Sequence, residues 1–301
     1  MGTLAAVVAL VLDRLLGEPR RFHPLVGFGA LAAKVEEFTR AYLPAGIAGA
    51  CGWLLLIAPP VGLLWWWQSA VPASVALITS VLVLYLCVGG RSLAEHARAI
   101  AEPLARGDLP AARKELAMIV SRDTENLDSS AVAAASVESV LENGSDAVLA
   151  PLFWFVLLGA PGALLYRLAN TLDAMWGYRN ATYAEFGRTA AVLDDCLNRP
   201  LAVFCATAYA LCGQTQSALT CWREQAPDCA SPNGGAVMSA GAGALHIAVG
   251  GFATYRGEPQ ERPVLGLERS ATAEDILRAL GLLRHALLLW LLTIAVLEWL
   301  L

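Results

Sequence analysis

Glu138, Glu142 and, roughly, Asp146 fall on one stripe if this stretch is helical, because residues four apart face the same way. The stripe contains no Lys or Arg. Carboxylates that converge without a basic partner repel unless water, a proton or a divalent cation offsets them. Three readings are open: a magnesium site, a solvated helix face, or helix-end effects. Asn170 and Asp173, with Arg167, share a face at i,i+3 spacing, and Asp194, Asp195 and Asn198 repeat the carboxylate–amide combination. Each group alone is weak evidence. Ionisable groups beside apolar segments are costly enough to be functional candidates by default, and two of them together suggest one shared metal–phosphate site.

Further polar residues lie between helical stretches. In Ser121-Arg122-Asp123-Thr124, Asp123 or Thr124 can cap a helix with Arg122 left in solvent; alternatively Arg122 is a fork for phosphate. The run Ser231-Pro232-Asn233-Gly234-Gly235, followed by Gly241-Ala242-Gly243-Ala244, is either a turn into a tightly packed helix or a set of backbone N–H groups offered to an anion. No GxxxxGK[ST] occurs, so any nucleotide is held without a P-loop. His23, in a loop before Pro24, reads first as structural, as do His96, His246 and His285. Spacing gives no Ser-His-Asp or Cys-His pattern.

The elements that must position these residues are apolar helices. Of 301 residues, 57% are hydrophobic and only 16% charged, against about a quarter charged in soluble domains. The formal charge of −5 and the absence of a basic helix face argue against nucleic acid as a partner. The seven cysteines form no CxxC pair and read as reduced, structural residues. Met1 to Gly17 lacks the basic start and small-residue cleavage pattern of a signal peptide and reads as a retained membrane helix. Ala45–Trp67, ending in Trp65-Trp66-Trp67, Val71–Val88 and Leu282–Leu301 complete four spans. Ala147–Tyr166, interrupted by Pro151, Gly159, Pro161 and Gly162, and the short Leu201–Gly213 are ambiguous and could be re-entrant. The expected fold is all-α: a single polytopic membrane domain, residues 1–301, with about 4–6 apolar segments. Polar helical blocks at about 91–146 and 214–281 sit on the cytoplasmic side by the distribution of Lys and Arg.

The ordered set Gly17-Glu18-Pro19 with His23-Pro24, Gly90-Arg91-Ser92-Leu93, Arg122-Asp123-Thr124, Glu142-Asn143 through Asp146, Ala150-Pro151-Leu152-Phe153, Gly159-Ala160-Pro161, Asn170-Thr171-Leu172-Asp173 with Gly177-Tyr178, Asp194-Asp195, and Ser231-Pro232-Asn233 resembles the CobD/CbiB family. That family is the membrane-bound adenosylcobinamide-phosphate synthase of cobalamin biosynthesis. The resemblance runs from about Asp13 to Gly266 and implies ATP-dependent amide formation. The propionate of adenosylcobyric acid, a corrinoid, would be joined to (R)-1-amino-2-propanol phosphate or the free amino alcohol.

It implies Mg²⁺ and ATP, catalytic roles for Glu142, Asp146 and Asp173, and metal ligation by Glu138, Glu142, Asp194 and Asp195. Substrate or phosphate contacts fall on His23, Arg91, Arg122, Asp123, Asn143, Asn170, Tyr178, Arg179, Ser231 and Asn233. The implied setting is the inner cell membrane with its active face cytoplasmic, beside other late enzymes of the pathway. Gly144, Ala147, Val192, Val203 and Ala236 depart from the family pattern. The rival readings are an intramembrane Mg²⁺-dependent prenyl or phospho-alcohol transferase and a transporter, the latter disfavoured because no repeated halves are evident.

Overall fold

The computed structural model describes residues 2–19, 23–178 and 180–300. Helices dominate, as expected: α1 (Gly2–Leu16), α2 (Pro24–Tyr42), α3 (Ala45–Ala70), α4 (Ala73–Cys87), α5 (Gly90–Ala105), α6 (Leu109–Leu116), α7 (Ser129–Gly144), α8 (Ala150–Trp176), α9 (Arg188–Cys212), α10 (Thr215–Gln225), α11 (Pro232–Leu245) and α12 (Ala273–Leu300). One π-turn, Ser145–Leu149, joins α7 to α8. The only strands among the described residues are β1 (Ala248–Gly250), β2 (Ala253–Tyr255), β3 (Glu258–Gln260) and β4 (Val264–Gly266). They form two antiparallel pairs, β1 with β4 and β2 with β3. Three residues per strand are too few for alternation to show in a sequence.

The chain divides into two compact units. The first holds the chain up to Gly89, Asp146–Arg199 and the stretch from Ile294; the second holds Gly90–Ser145 and Pro200–Thr293.

Among the described residues four stretches are long and apolar enough to cross a membrane: Ala45–Ala70, Ala73–Ala105, Ser129–Trp176 and Ala273–Leu300. Three match the expected spans. The fourth takes in the ambiguous Ala147–Tyr166, while the N-terminal helix is not among them. At 15 residues, α1 is about 22 Å long against a hydrocarbon core of about 30 Å. Leu201–Gly213 is the second half of α9 and is also not one of the four. The prolines of α3 leave it one continuous helix. The interruption expected in α8 is real: Gly159 has φ 68° and ψ −160°, which breaks the helix there.

In the first unit the core forms around Trp176 and Phe186, which pack edge to face with centroids 4.9 Å apart. Two glycines permit this. A Cβ on Gly49 would lie 1.8 Å from the Phe186 carbonyl oxygen, and one on Gly187 would lie 1.7 Å from that of Trp176. In the second unit the small residues of α11 serve the same end. A Cβ on Gly241 would meet Leu141 of α7 at 2.6 Å, and one on Gly243 would meet the Ser217 carbonyl oxygen of α10 at 2.7 Å. The Gly/Ala run is therefore a buried packing face, the first of the two readings its composition allowed.

Candidate functional site

In the second unit the polar residues converge on Glu138. Only 2% exposed, its carboxylate accepts from Arg122 and from Arg262, the latter at 3.0 Å. Glu138 of the acidic stripe thus has basic partners after all, one from the segment before α7 and one from 124 residues away. Arg122 is drawn inward rather than left in solvent. Asp123 caps no helix: the N-caps of α6 and α7 are Asp108 and Asp128. Its two oxygens instead accept the backbone N–H groups of Arg256 and Gly257, at 3.2 and 2.8 Å.

Beside this cluster Glu142 is exposed, and its Oε1 faces Gly234, where a Cβ would stand 3.0 Å away. Gly234 lies in the first turn of α11, whose N-terminal partial charge favours a carboxylate. Ser231 is the N-cap of that helix and accepts from Gly234 N at 3.2 Å. Asn233 sits in the same turn. Asn143, also exposed, donates to the carbonyl and hydroxyl oxygens of Ser139. Arg91 pairs with Glu95 along α5 at 2.6 Å.

A different network forms in the first unit. Tyr166 donates to Asn198 Oδ1 at 2.9 Å, and Asn198 Nδ2 donates to Asp194 Oδ2 at 2.8 Å. Asp194 is 7% exposed, whereas its neighbour Asp195 faces solvent. Burial pushes the Asp194 carboxyl up to about 7; the charges of Asp173 and Asp195 push the same way, and the Asn198 hydrogen bond, together with the nearby Asn170 amide, partly opposes them. Asp146 is close enough for its charge to act on Tyr166.

Asp173 lies where α8 ends. A Cβ on Gly177 would stand 2.0 Å from its Oδ1, so the carboxylate lies over the backbone of the next turn. The two groups expected from spacing, Asn170/Asp173 and Asp194/Asp195/Asn198, do meet here. His23 caps α2, its Nδ1 accepting from Leu25 N at 3.2 Å. Tyr178 is exposed. Arg179 lies outside the described residues.

Three features escape sequence spacing. Arg262 completes the pair on Glu138 from 124 residues away, a separation no helical period reveals. Tyr166 reads as one more apolar helix residue until its hydroxyl meets Asn198. Asp275, at the start of α12, is gripped by Arg269 and Arg278 at 2.7 and 2.5 Å.

Among the described residues no three His, Cys, Asp or Glu side chains gather to hold a metal ion. Glu138 is paired with two guanidiniums, Arg122 and Arg262.

A model of the family described as CobD/Cbib protein matches residues 6–283. The chain is 52% identical over 290 residues to the cobalamin biosynthesis protein CobD of Chromobacterium violaceum, covering 94% of this chain and 92% of that one. It is 50% identical over 299 residues to the CobD of Stutzerimonas stutzeri, covering 99% and 98%. The CobD of Mycobacterium tuberculosis is 38% identical over 287 residues, covering 93% and 91%. No solved structure matches the chain. With a matching family model over most of its length and relatives at half identity end to end, the chain belongs to the CobD/CbiB family of cobalamin biosynthesis.

Proposed function

We propose that this enzyme is the adenosylcobinamide-phosphate synthase of its pathway, forming an amide between the propionate of adenosylcobyric acid and (R)-1-amino-2-propanol phosphate or aminopropanol. A carboxylate is a poor electrophile, so ATP supplies the activation, most simply through an acyl phosphate with release of ADP. The amine then attacks, loses a proton, and phosphate leaves.

The observation that carries this reading is the grouping of Arg122, Arg262, Glu138 and exposed Glu142 in one unit. Guanidiniums bind phosphate oxygens through charge-assisted hydrogen bonds, and an exposed carboxylate at a helix N-terminus can orient the amine and take its proton. Asn143 and Ser231 flank that carboxylate. In the other unit, Asp146, Asp173, Asn170, Asp194 and Asp195 make a second polar group. Mg²⁺ arrives with ATP, and no step is assigned to a protein-held metal. The setting is the inner membrane with the polar face cytoplasmic, alongside other late enzymes of the pathway.

The test is incubation of the purified protein with adenosylcobyric acid, Mg²⁺-ATP and either amine, with product read by mass spectrometry. Cobinamide phosphate or cobinamide, with stoichiometric ADP, is the expected result. Transfer of a prenyl or phospho-alcohol group without an amide product would establish the rival chemistry.

A further inference from the structure

The β2–β3 hairpin is an exposed loop with an unusually specific anchor. Its strands pair Ala253 with Gln260 and Tyr255 with Glu258, leaving Arg256 and Gly257 as a two-residue turn. Both have positive φ, 52° and 81°, the geometry of a type I′ hairpin turn. Arg256 is a poor residue for that geometry, because an L side chain there crowds the backbone. Asp123 compensates: its two carboxylate oxygens take the N–H groups of both turn residues, and its own N–H donates to Thr254 O at 2.8 Å. The residues from Arg256 to Glu261 are otherwise exposed. Immediately beyond them Arg262 turns inward onto Glu138, while Arg122, the residue before the anchor, reaches the same carboxylate.

We propose that the hairpin is a substrate strap: Asp123 latches its turn, and the latch sets Arg262 beside Arg122 as half of a clamp for a phosphate monoester. Two guanidiniums have more N–H donors than one carboxylate can use, and buried Glu138 holds them side by side. Glu142 lies within electrostatic reach of both arginines. Two cations beside a second, exposed anion match a ligand carrying both a phosphate and an ammonium group. The clamp therefore takes the phosphate of the amino-alcohol substrate, an assignment that rests on the synthase reading above. Arg262 is the substrate contact; Asp123 is a positioning residue.

The test uses the full-length protein in detergent, measuring ligand-induced thermal stabilisation by aminopropanol phosphate, free aminopropanol, inorganic phosphate and Mg²⁺-ATP. Wild type is expected to prefer the phosphorylated amine to the free amine by at least about tenfold, the worth of one or two charge-assisted bonds. Arg262→Gln abolishes that preference and Arg262→Lys restores part of it. Equal weakening of both amines, or an unchanged preference, overturns the clamp. Loss confined to Mg²⁺-ATP overturns the amino-alcohol assignment.

For the latch, Asp123→Ala is expected to expose the bond after Arg256 to trypsin and to lower the phosphate preference as Arg262→Gln does, with Asp123→Asn intermediate. Unchanged cleavage with unchanged preference removes the latch. An Arg262-dependent preference in a protein that forms neither cobinamide phosphate nor cobinamide defeats the synthase reading and leaves the clamp standing.

Discussion

Glu138 in the second unit and Asp194 in the first are both buried carboxylates, exposed by 2% and 7%, yet their surroundings differ in kind. Glu138 meets two guanidiniums brought from outside its helix. Asp194 meets amides and other acids: Asn198, Asn170, Asp173 and Asp195. Taking a carboxylate out of water is costly, and there are two ways to offset the cost. One is a paired cation; the other is to hold the proton. The first fixes a charge in place and organises the cations around it. The second leaves a group whose protonation changes near neutral pH, and the two surfaces consequently suit different tasks.

The largest effect expected from this contrast comes from removing the shared anion. Glu138→Ala leaves Arg122 and Arg262 facing one another without the carboxylate they share, and breaking a buried ion pair from one side costs about 3–5 kcal/mol. Chemical unfolding in detergent measures this. The double variant Glu138→Ala with Arg262→Gln should be less damaging than the sum of the two singles, because the second change relieves repulsion created by the first. Additive losses would show that the three side chains do not act as a unit.

Asp194 supplies the next effect, and it depends on pH. Its folded value of about 7 lies above the ordinary 3.8, so the native state holds a proton that the unfolded chain releases. The resulting stabilisation is complete below about pH 3.8 and is lost as pH rises through about 7, with a slope of at most about 1.4 kcal/mol per pH unit. Asp194→Asn keeps the shape without the charge. It should therefore flatten the decline, leaving the variant more stable than wild type at pH 8 and close to it at pH 4. Parallel pH profiles for the two proteins would mean that Asp194 stays ionised in the fold.

Gly177 tests whether Asp173 belongs to the same surface. Gly177→Ala forces the Asp173 carboxylate off the position it occupies, at a cost of roughly 1–3 kcal/mol for overpacking. Part of that cost should vanish in an Asp173→Ala background, a coupling that a double-mutant cycle in thermal unfolding reads directly. The Asp173 carbonyl oxygen would stand 2.7 Å from the same Cβ, so some loss persists.

The contrast also explains what was legible in the sequence. The Asn170/Asp173 and Asp194/Asn198 groups could be read because each is held together by helical spacing, and the structure brings them into one network. Glu138 and Glu142 were equally visible as a stripe, but the stripe looked unpaired. Arg122 reaches Glu138 across a helix start, and Arg262 arrives from 124 residues away on a hairpin too short to show alternation. Periodicity records neighbours within an element and is silent about partners delivered by tertiary folding. The apolar spans are legible for the complementary reason: length and composition decide them locally. Where the span assignment shifted, at α1 and around Gly159, the deciding quantities were helix length and a glycine conformation.

The smallest expected effect is the most specific to the first unit. Tyr166 donates to Asn198 Oδ1, and that bond fixes which end of the Asn198 amide faces Asp194. Tyr166→Phe removes one hydroxyl, with a loss of about 1 kcal/mol from the hydrogen bond itself. The consequence for Asp194 is more informative. The Asn198 N–H favours the ionised carboxylate, so an amide free to turn away favours the proton still further. In Tyr166→Phe the pH-dependent loss of stability should therefore extend to higher pH, and this change should disappear when Asp194→Asn is added. A shift that survives in the double variant would trace to another group and break the link from Tyr166 through Asn198 to Asp194.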